Sequence, residues 1–318
     1  MFIPDRVLDH VAVVCDEPDL TGTKYTLVRQ LGRGGMGIVY AVMDAELGRE
    51  VAMKVASADD VRSERARREA RVLAKLEHPS IVPVHDTGTL PDGRVFYVMK
   101  LVRGERLDRW LLAHAHALPI ALRLFQRICE AVAFANAHDV VHRDLKPDNV
   151  MVGEFGEALV MDWGLAKEPG DDESAIVGTR EYMAPEQSRG EPVTSRADVY
   201  ALGKILSRIV GSSPPKPLAS IVARAISESP SERYETASRL SEDVGRFLDG
   251  ERVLAHQETL VEIAGRFASR HRVVLTLLGA YLVVRVILIV ASRAGLGSFG
   301  VPFGPSGPKT GSGLSCWK

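Results

Sequence analysis

Between Val141 and Val150 the chain places His142, Arg143, Asp144, Lys146, Asp148 and Asn149 in one short polar run between apolar stretches. A carboxylate at Asp144 can accept a hydroxyl proton, a cation at Lys146 can neutralise a phosphoryl group in transit, and the Asn149 amide can hold a metal. Thirteen residues past Asn149 comes Asp162, in the run Met161-Asp162-Trp163-Gly164, a second oxygen ligand after a strand-like stretch. Two oxygen donors, with phosphate oxygens completing the shell, suit magnesium. The chemistry implied is phosphoryl transfer, in which a protein mainly positions and neutralises.

Upstream, Gly32-Arg33-Gly34-Gly35-Met36-Gly37-Ile38-Val39 fits the spacing G-x-G-x-x-G-x-V. Glycines let a backbone approach phosphate oxygens closely. Alone this is a weak signal, because glycine-rich hairpins also occur for structural reasons. A dinucleotide fingerprint would need the glycines to open a helix, and here a strand follows. Lys54 lies on the next strand, in Val51-Ala52-Met53-Lys54, and Glu69 on the following helix could hold it in place. Each is ordinary taken singly, and they matter as members of the set.

The elements that must position these groups are legible in outline. Runs at Tyr25 to Leu31, Gly37 to Met43, Glu50 to Ala56 and Val95 to Met99 carry β-branched or aromatic residues near period two and read as strands. Turns at Gly32 to Gly35 and Glu46 to Gly48 would separate the first three into an antiparallel meander. Val61 to Glu77 has helical spacing with an apolar stripe at Val72, Leu73 and Leu76, ended by His78-Pro79. Helical patterns follow at Pro119 to His138, Ala197 to Val210, Pro217 to Ser227 and Ala237 to Leu248. A small β lobe followed by a larger α lobe is expected. The 318 residues are 46% hydrophobic and 25% charged with a net charge of -1, which fits a globular core and gives no electrostatic case for nucleic acid. Cys15, Cys129 and Cys316 have neither metal-ligand spacing nor a disulfide pattern, so a reduced, intracellular chain is expected, and the first residues do not read as a cleavable signal.

Together these residues resemble the eukaryotic-type protein kinase family, particularly the bacterial serine/threonine kinases, over about Tyr25 to Gly250. The resemblance implies an α+β bilobal fold, with a β-rich N-lobe and a larger α-helical C-lobe, that uses ATP and Mg2+ to phosphorylate protein substrates on serine or threonine. By it, Gly32, Gly34 and Gly37 cover the ATP phosphates and Leu31 joins the nucleotide pocket. Lys54 contacts the α and β phosphates and pairs with Glu69. Asp144 is the catalytic base with Lys146 beside the γ phosphate, and Asn149 and Asp162 bind magnesium. Val39, Ala52 and Met151 sandwich the adenine, Met99 is the gatekeeper, and Lys100 to Val102 form the hinge. Gly178-Thr179 and Met183-Ala184-Pro185-Glu186 match the end of an activation segment, Glu186 pairs with Arg233, and Asp198 anchors the catalytic loop. Serine/threonine specificity rests on Lys146 and Thr179. A dimer acting in trans would be compatible with this reading.

The chain departs from the family pattern in three places. Trp163 stands where the family usually has phenylalanine, in a slot expected between Leu73 and His142. The stretch from Asp162 to Glu186 is short, leaving Ser174, in an acidic patch, as the candidate phosphorylation switch. Gly211 to Pro217 replaces a longer segment with an extra helix. Beyond the kinase-like region, Val273 to Ala291 holds nineteen residues with one charge, Arg285, long enough to cross a bilayer. Arg266, Arg270 and Arg272 precede it and Arg293 follows, which puts the kinase lobe in the cytoplasm of a single-pass plasma-membrane protein. The expected layout is an extension over 1–24, a kinase domain over 25–250, a juxtamembrane segment over 251–272, a transmembrane helix over 273–291 and a Gly/Pro/Ser-rich tail over 292–318. The alternatives are a pseudokinase-like membrane scaffold, a small-molecule phosphotransferase, a membrane adaptor, and a final helix packed on the kinase instead of spanning lipid.

Overall fold

The computed structural model describes residues 17–34, 37–56, 60–114, 117–163, 180–259, 262–263, 265 and 271–293. The chain divides into two compact units, Met1–Gln257 and Glu258–Lys318.

The first unit begins with an antiparallel sheet of β1 (Tyr25–Gly34), β2 (Gly37–Asp44), β3 (Arg49–Ala56), β4 (Val84–Thr89) and β5 (Val95–Met99), in the order β1-β2-β3-β5-β4. Period-two alternation sorts its side chains cleanly. Ile38, Tyr40, Val42, Val51, Met53, Val55, Phe96 and Val98 close one apolar cluster on the outer face. The intervening residues, including Val39, Ala52, Lys54, Tyr97 and Met99, therefore line the opposite face. Helix α1 (Asp60–Lys75) belongs to that side, burying Ala70, Val72 and Leu73 in the same core as Tyr97.

Two local outcomes differ from the sequence reading. The expected turn over Gly32 to Gly35 is strand as far as Gly34, because β1 and β2 keep pairing until Gly34 faces Gly37. A register shift between Gln30 and Gly32 absorbs the glycine within the ladder instead of ending it. Strand β4 is also additional. Its sequence, Val84-His85-Asp86-Thr87-Gly88-Thr89, lacks apolar alternation because it lies at the sheet edge with a half-wet burial pattern.

The second lobe is built on α3 (Leu118–Ala137), preceded by β6 (Gly104–Arg106) and α2 (Leu107–Ala113). Leu122, Phe125, Ile128, Cys129, Val132 and Ala135 recur at three- and four-residue steps along α3 and are fully buried. Each such large side chain contributes roughly 1.5–3 kcal/mol by leaving water. A 3-10 turn at Pro147–Asn149 leads into the hairpin β7 (Val150–Gly153) and β8 (Ala158–Val160), which joins β6 in a second sheet. Val160 bridges Ile81 in parallel, so the segment entering β4 is tied to the C-lobe beside the cleft.

Then come α4 (Pro185–Ser188), α5 (Ser195–Val210), α6 (Lys216–Ala225) and α7 (Ala237–Leu248). Thr194 caps α5 by accepting from the Arg196 N–H, and Gly211 ends it at φ 71°. Only Gly211 to Pro215 separates α5 from α6, matching the compressed connection read from the sequence. The packed unit continues past Gly250, because the buried Asp243 carboxylate accepts from the Leu254 and Ala255 N–H groups at 2.8 and 3.0 Å and from the Tyr234 hydroxyl at 2.8 Å.

The second unit carries α8 (Arg272–Arg293), of which Val273–Val290 is long and apolar enough to cross a membrane, with none of that stretch buried. Its one internal charge, Arg285, reaches back one turn to the Tyr281 hydroxyl at 3.3 Å.

Candidate active site

The strand-to-helix geometry brings the separated charges together. Lys54 Nζ lies 3.1 and 2.8 Å from the two Glu69 carboxylate oxygens and 2.9 Å from Asp162 Oδ1. Lys54 and Asp162, 108 positions apart in sequence, are thus joined. Glu69 is 2% exposed and the Lys54 side chain 12%, so the pair is screened from solvent.

Burial disfavours a charged Lys54, yet Glu69, Tyr97 and Asp162 outweigh it and hold the ammonium well above its ordinary 10.5. Burial pushes the Glu69 carboxyl up from 4.5, with Lys54 pulling it back, while at Asp162 the pull of Lys54 overcomes burial and lowers the carboxyl below 3.8. The share of stability from Asp162 is complete above 3.8 and is lost only as pH falls through its depressed value. That from Lys54 is complete below 10.5 and is lost only as pH rises beyond it. The link between them is therefore fully charged across the neutral range.

The polar loop is held as one piece. Lys146 Nζ donates to Asp144 Oδ2 at 2.8 Å, and Asn149 Nδ2 donates to the Asp144 carbonyl at 2.8 Å and to Oδ2 at 3.3 Å. The amide nitrogen of Asn149 is thereby committed to Asp144, which presents its amide oxygen as the group to meet a cation. Its partner would be the ionised Asp162, an all-oxygen donor set that fits magnesium.

Backbone strain sits in the same place: Arg143 and Asp162 have φ of 68° and 61°. Arg143 is pinned from both sides. Its N–H donates to Asp198 Oδ1 at 3.0 Å, and its carbonyl accepts from Gln187 Nε2 at 2.7 Å. The second Asp198 oxygen accepts from the His142 N–H and from Asn136 Nδ2, both at 2.9 Å. The His142 ring lies 3.0 Å from the Met161 carbonyl, next to Asp162. Trp163 is 1% exposed, in the same core as Leu73, and its ring packs on His142 at 4.6 Å between centroids. The indole fills the slot where the family usually has phenylalanine.

Along the cleft, Ala52 on β3 faces Met99 on β5 directly, and Val39 on β2 faces Lys54. Val39, Met99, Val102 and Met151 are half-buried, Leu31 and Lys100 are exposed, and the Lys100 N–H donates to the Pro83 carbonyl at 3.2 Å.

The three spaced glycines prove unlike one another. Gly37 has φ +146°, and a Cβ there would collide with the Val55 carbonyl on β3. Gly32 and Gly34 face open space. Gly37→Ala is expected to cost at least about 1–3 kcal/mol, seen as a lowered melting temperature. Gly34→Ala should stay within roughly 0.5 kcal/mol of the parent in stability. Gly35, Gly164, Ser174 and Thr179 lie outside the described residues.

Three groups at the site were not singled out from the sequence. Asn136 and Gln187 look like routine surface amides until the fold brings Asp198 and Arg143 to them. Tyr97 had a readable signal: a phenol inside an otherwise apolar strand, two residues before Met99 and so on its face, needs a buried partner. The centre of the Tyr97 ring lies 5.7 Å from the Lys54 ammonium.

Outward of the site, Glu186 and Arg233 form a buried two-point ion pair, each oxygen 2.7 Å from a guanidinium nitrogen.

The family model for the protein kinase domain matches residues 25–258. The chain is 35% identical over 297 residues to a probable serine/threonine-protein kinase of Streptomyces coelicolor, covering 80% of this chain and 44% of that protein. It is 34% identical over 277 residues to the serine/threonine-protein kinase PknB of Mycolicibacterium smegmatis, with coverage of 74% and 44%. Against the serine/threonine-protein kinase PknD of Chlamydia caviae it is 32% identical over 293 residues, with coverage of 71% and 31%. The chain therefore spans less than half the length of these relatives. The matched region contains the ammonium shared by Glu69 and Asp162, the Asp144 loop and the Glu186–Arg233 pair, and the chain belongs to the protein kinase family.

Proposed function

We propose that the protein transfers the γ-phosphate of ATP to serine or threonine hydroxyls of proteins. The observation that carries this reading is the Lys54 ammonium held at once by Glu69 and Asp162, 2.8 and 2.9 Å away. A scaffold that only binds nucleotide has no need of that link together with the Asp144, Lys146 and Asn149 cluster. Gly32 and Gly34, facing open space, give clearance for phosphates above the sheet edge. Leu31, Val39, Ala52, Met99 and Met151, with backbone from Lys100 to Val102, take the adenine.

In the transfer step Asp144 accepts the proton of the substrate hydroxyl. The hydroxyl oxygen bonds to the γ phosphorus as the bond to the β–γ bridging oxygen breaks and ADP leaves. Lys146, tied to the Asp144 carboxylate, meets charge on the moving phosphoryl group, and Lys54 holds the α and β phosphates. Asn149 and Asp162 would hold Mg2+, which supplies charge neutralisation between the phosphates when bound.

The kinase unit would lie at the cytoplasmic face of a plasma membrane, anchored by α8, with the basic residues Arg266, Arg270 and Arg272 on the inner side. The domain boundaries given above, with the kinase domain carried on to Gln257, serine/threonine choice through Lys146 and Thr179, and phosphorylation in trans within a dimer belong to the same proposal.

The test is phosphorylation by the purified full chain in detergent, with magnesium and ATP, followed by mapping of the modified residues. Phosphoserine or phosphothreonine on the chain or on a basic acceptor protein is expected. ATP binding without any transfer would overturn the reading in favour of the scaffold. Flotation with anionic vesicles is expected for the full chain and not for a chain ended at Gln257.

A further inference from the structure

Arg285 is the one charge inside the apolar stretch Val273–Val290 of α8, and the transfer step does not use it. None of that stretch is buried, and the Arg285 guanidinium reaches back to the Tyr281 hydroxyl at 3.3 Å. Its central carbon lies 5.9 Å from the centre of the Tyr281 ring. Tyr281 is the ninth of the 18 residues, so the cation sits level with the middle of the stretch.

That placement carries the cation away from the nearer end of the stretch. Val290 lies five residues beyond Arg285, roughly 7–8 Å along the helix. Helical side chains lean toward the N-terminus, and here the lean directs the guanidinium inward along the axis. The phenol meets one of the five guanidinium donors and brings no charge. In hydrocarbon the remaining donors and the full charge call for a carboxylate.

This sequence brings none to that depth. From Ile263 to Lys318 it contains no Asp or Glu, and the last acidic residue before the stretch is Glu262. Leu278, Tyr281, Leu282 and Arg285 share one face of α8 at three- and four-residue steps. A second copy of the chain on that face would set guanidinium against guanidinium, which like charge disfavours in a low dielectric.

We infer that this face of α8 is a docking site for the transmembrane helix of a different protein, one with an Asp or Glu at mid-bilayer depth whose carboxylate pairs with Arg285. Tyr281 holds the guanidinium at that depth. The inference rests on the reading of α8 as a membrane anchor.

The experiment places the full chain, carrying a donor dye, in phosphatidylcholine vesicles with a synthetic leucine–alanine transmembrane helix that carries the acceptor dye. The synthetic helix has Glu, Gln or Leu at its centre, or Glu moved two turns toward either end. Energy transfer gives the dissociation constant for the parent and for Arg285→Leu. The parent is expected to bind the central-Glu helix about tenfold tighter than the Leu helix, with Gln in between. Off-centre Glu should bind more weakly than central Glu, and Arg285→Leu should lose the preference for Glu.

A central Glu bound no tighter than Gln or Leu would overturn the inference. So would tightest binding to an off-centre Glu, which would put the guanidinium at the lipid surface, or a preference for Glu that survives in Arg285→Leu. Alkaline carbonate extraction of the same vesicles separates this outcome from the anchor reading. If the chain is released, the anchor and the inference both fail. If it stays and the helices bind alike, only the inference fails.

Discussion

Asp144→Asn is expected to lower the rate of phosphate transfer by about 10²–10⁴-fold, the usual contribution of a positioned general base. The asparagine is isosteric and keeps an oxygen to receive Lys146, now 2.8 Å from Asp144 Oδ2. The Asn149 bond to the residue 144 carbonyl, 2.8 Å, does not involve the side chain at all. The loop should therefore keep its shape, with the melting temperature and the MgATP dissociation constant close to those of the parent. What disappears is the capacity to take the hydroxyl proton. The effect belongs in kcat with little change in the KM for ATP, because the lost interaction is made in the transition state. Transfer by purified Asp144→Asn protein within a few fold of the parent would refute the assignment of Asp144 as base.

The largest effect on stability is expected at Arg233. Its guanidinium is fully buried and meets both Glu186 oxygens at 2.7 Å. It also donates to the carbonyls of Ser227, Arg196 and Glu228 at 2.8, 3.0 and 3.1 Å. Its face stacks on the Tyr200 ring at 4.9 Å. Arg233→Ala would leave the Glu186 carboxylate buried without its partner and three carbonyls short of a donor, a loss of about 3–5 kcal/mol. That is a large part of the roughly 5–15 kcal/mol that holds an ordinary domain folded. For a unit of this size the melting temperature should fall on the order of 10 °C. The paired change Arg233→Met with Glu186→Leu should recover much of the loss, because it removes the stranded charge as well as the pair. Thermal melts of the three proteins check this, and a single Arg233→Ala protein as stable as its parent would contradict it.

Those two residues show how far the sequence reaches. Asp144 is legible because a chemical loop is local: acid, base and amide stand within a few residues of one another, and their order names the reaction. The Glu186–Arg233 pair, separated by 47 positions, came only through the family resemblance, and its strength became visible with the burial of both groups. The helices were legible for a related reason. Period-3.6 stripes such as that of α3 record one face against one core, so element type survives in the text of the chain.

Where a group's role depends on what lies across the sheet, local pattern fails. Gly32, Gly34 and Gly37 look equivalent in the motif, yet only Gly37 is pressed against a carbonyl of the neighbouring strand. Strand β4 escaped notice because an edge strand is half solvated and its composition follows the solvent as much as the core. The cores of the two lobes left their periodicity in the sequence, as did the family's chemistry in its spaced motifs.

The sequence by itself determined which groups are proposed for phosphoryl transfer and the order of elements that carry them, because both are written in short-range spacing. Only the tertiary structure decided that Lys54 answers to Glu69 and Asp162 together, that Asp198 clasps the strained Arg143 turn, and that the Tyr97 ring lies beside Lys54. Those depend on strand register and on burial, which set who faces whom in a low-dielectric interior and cannot be read from spacing along the chain.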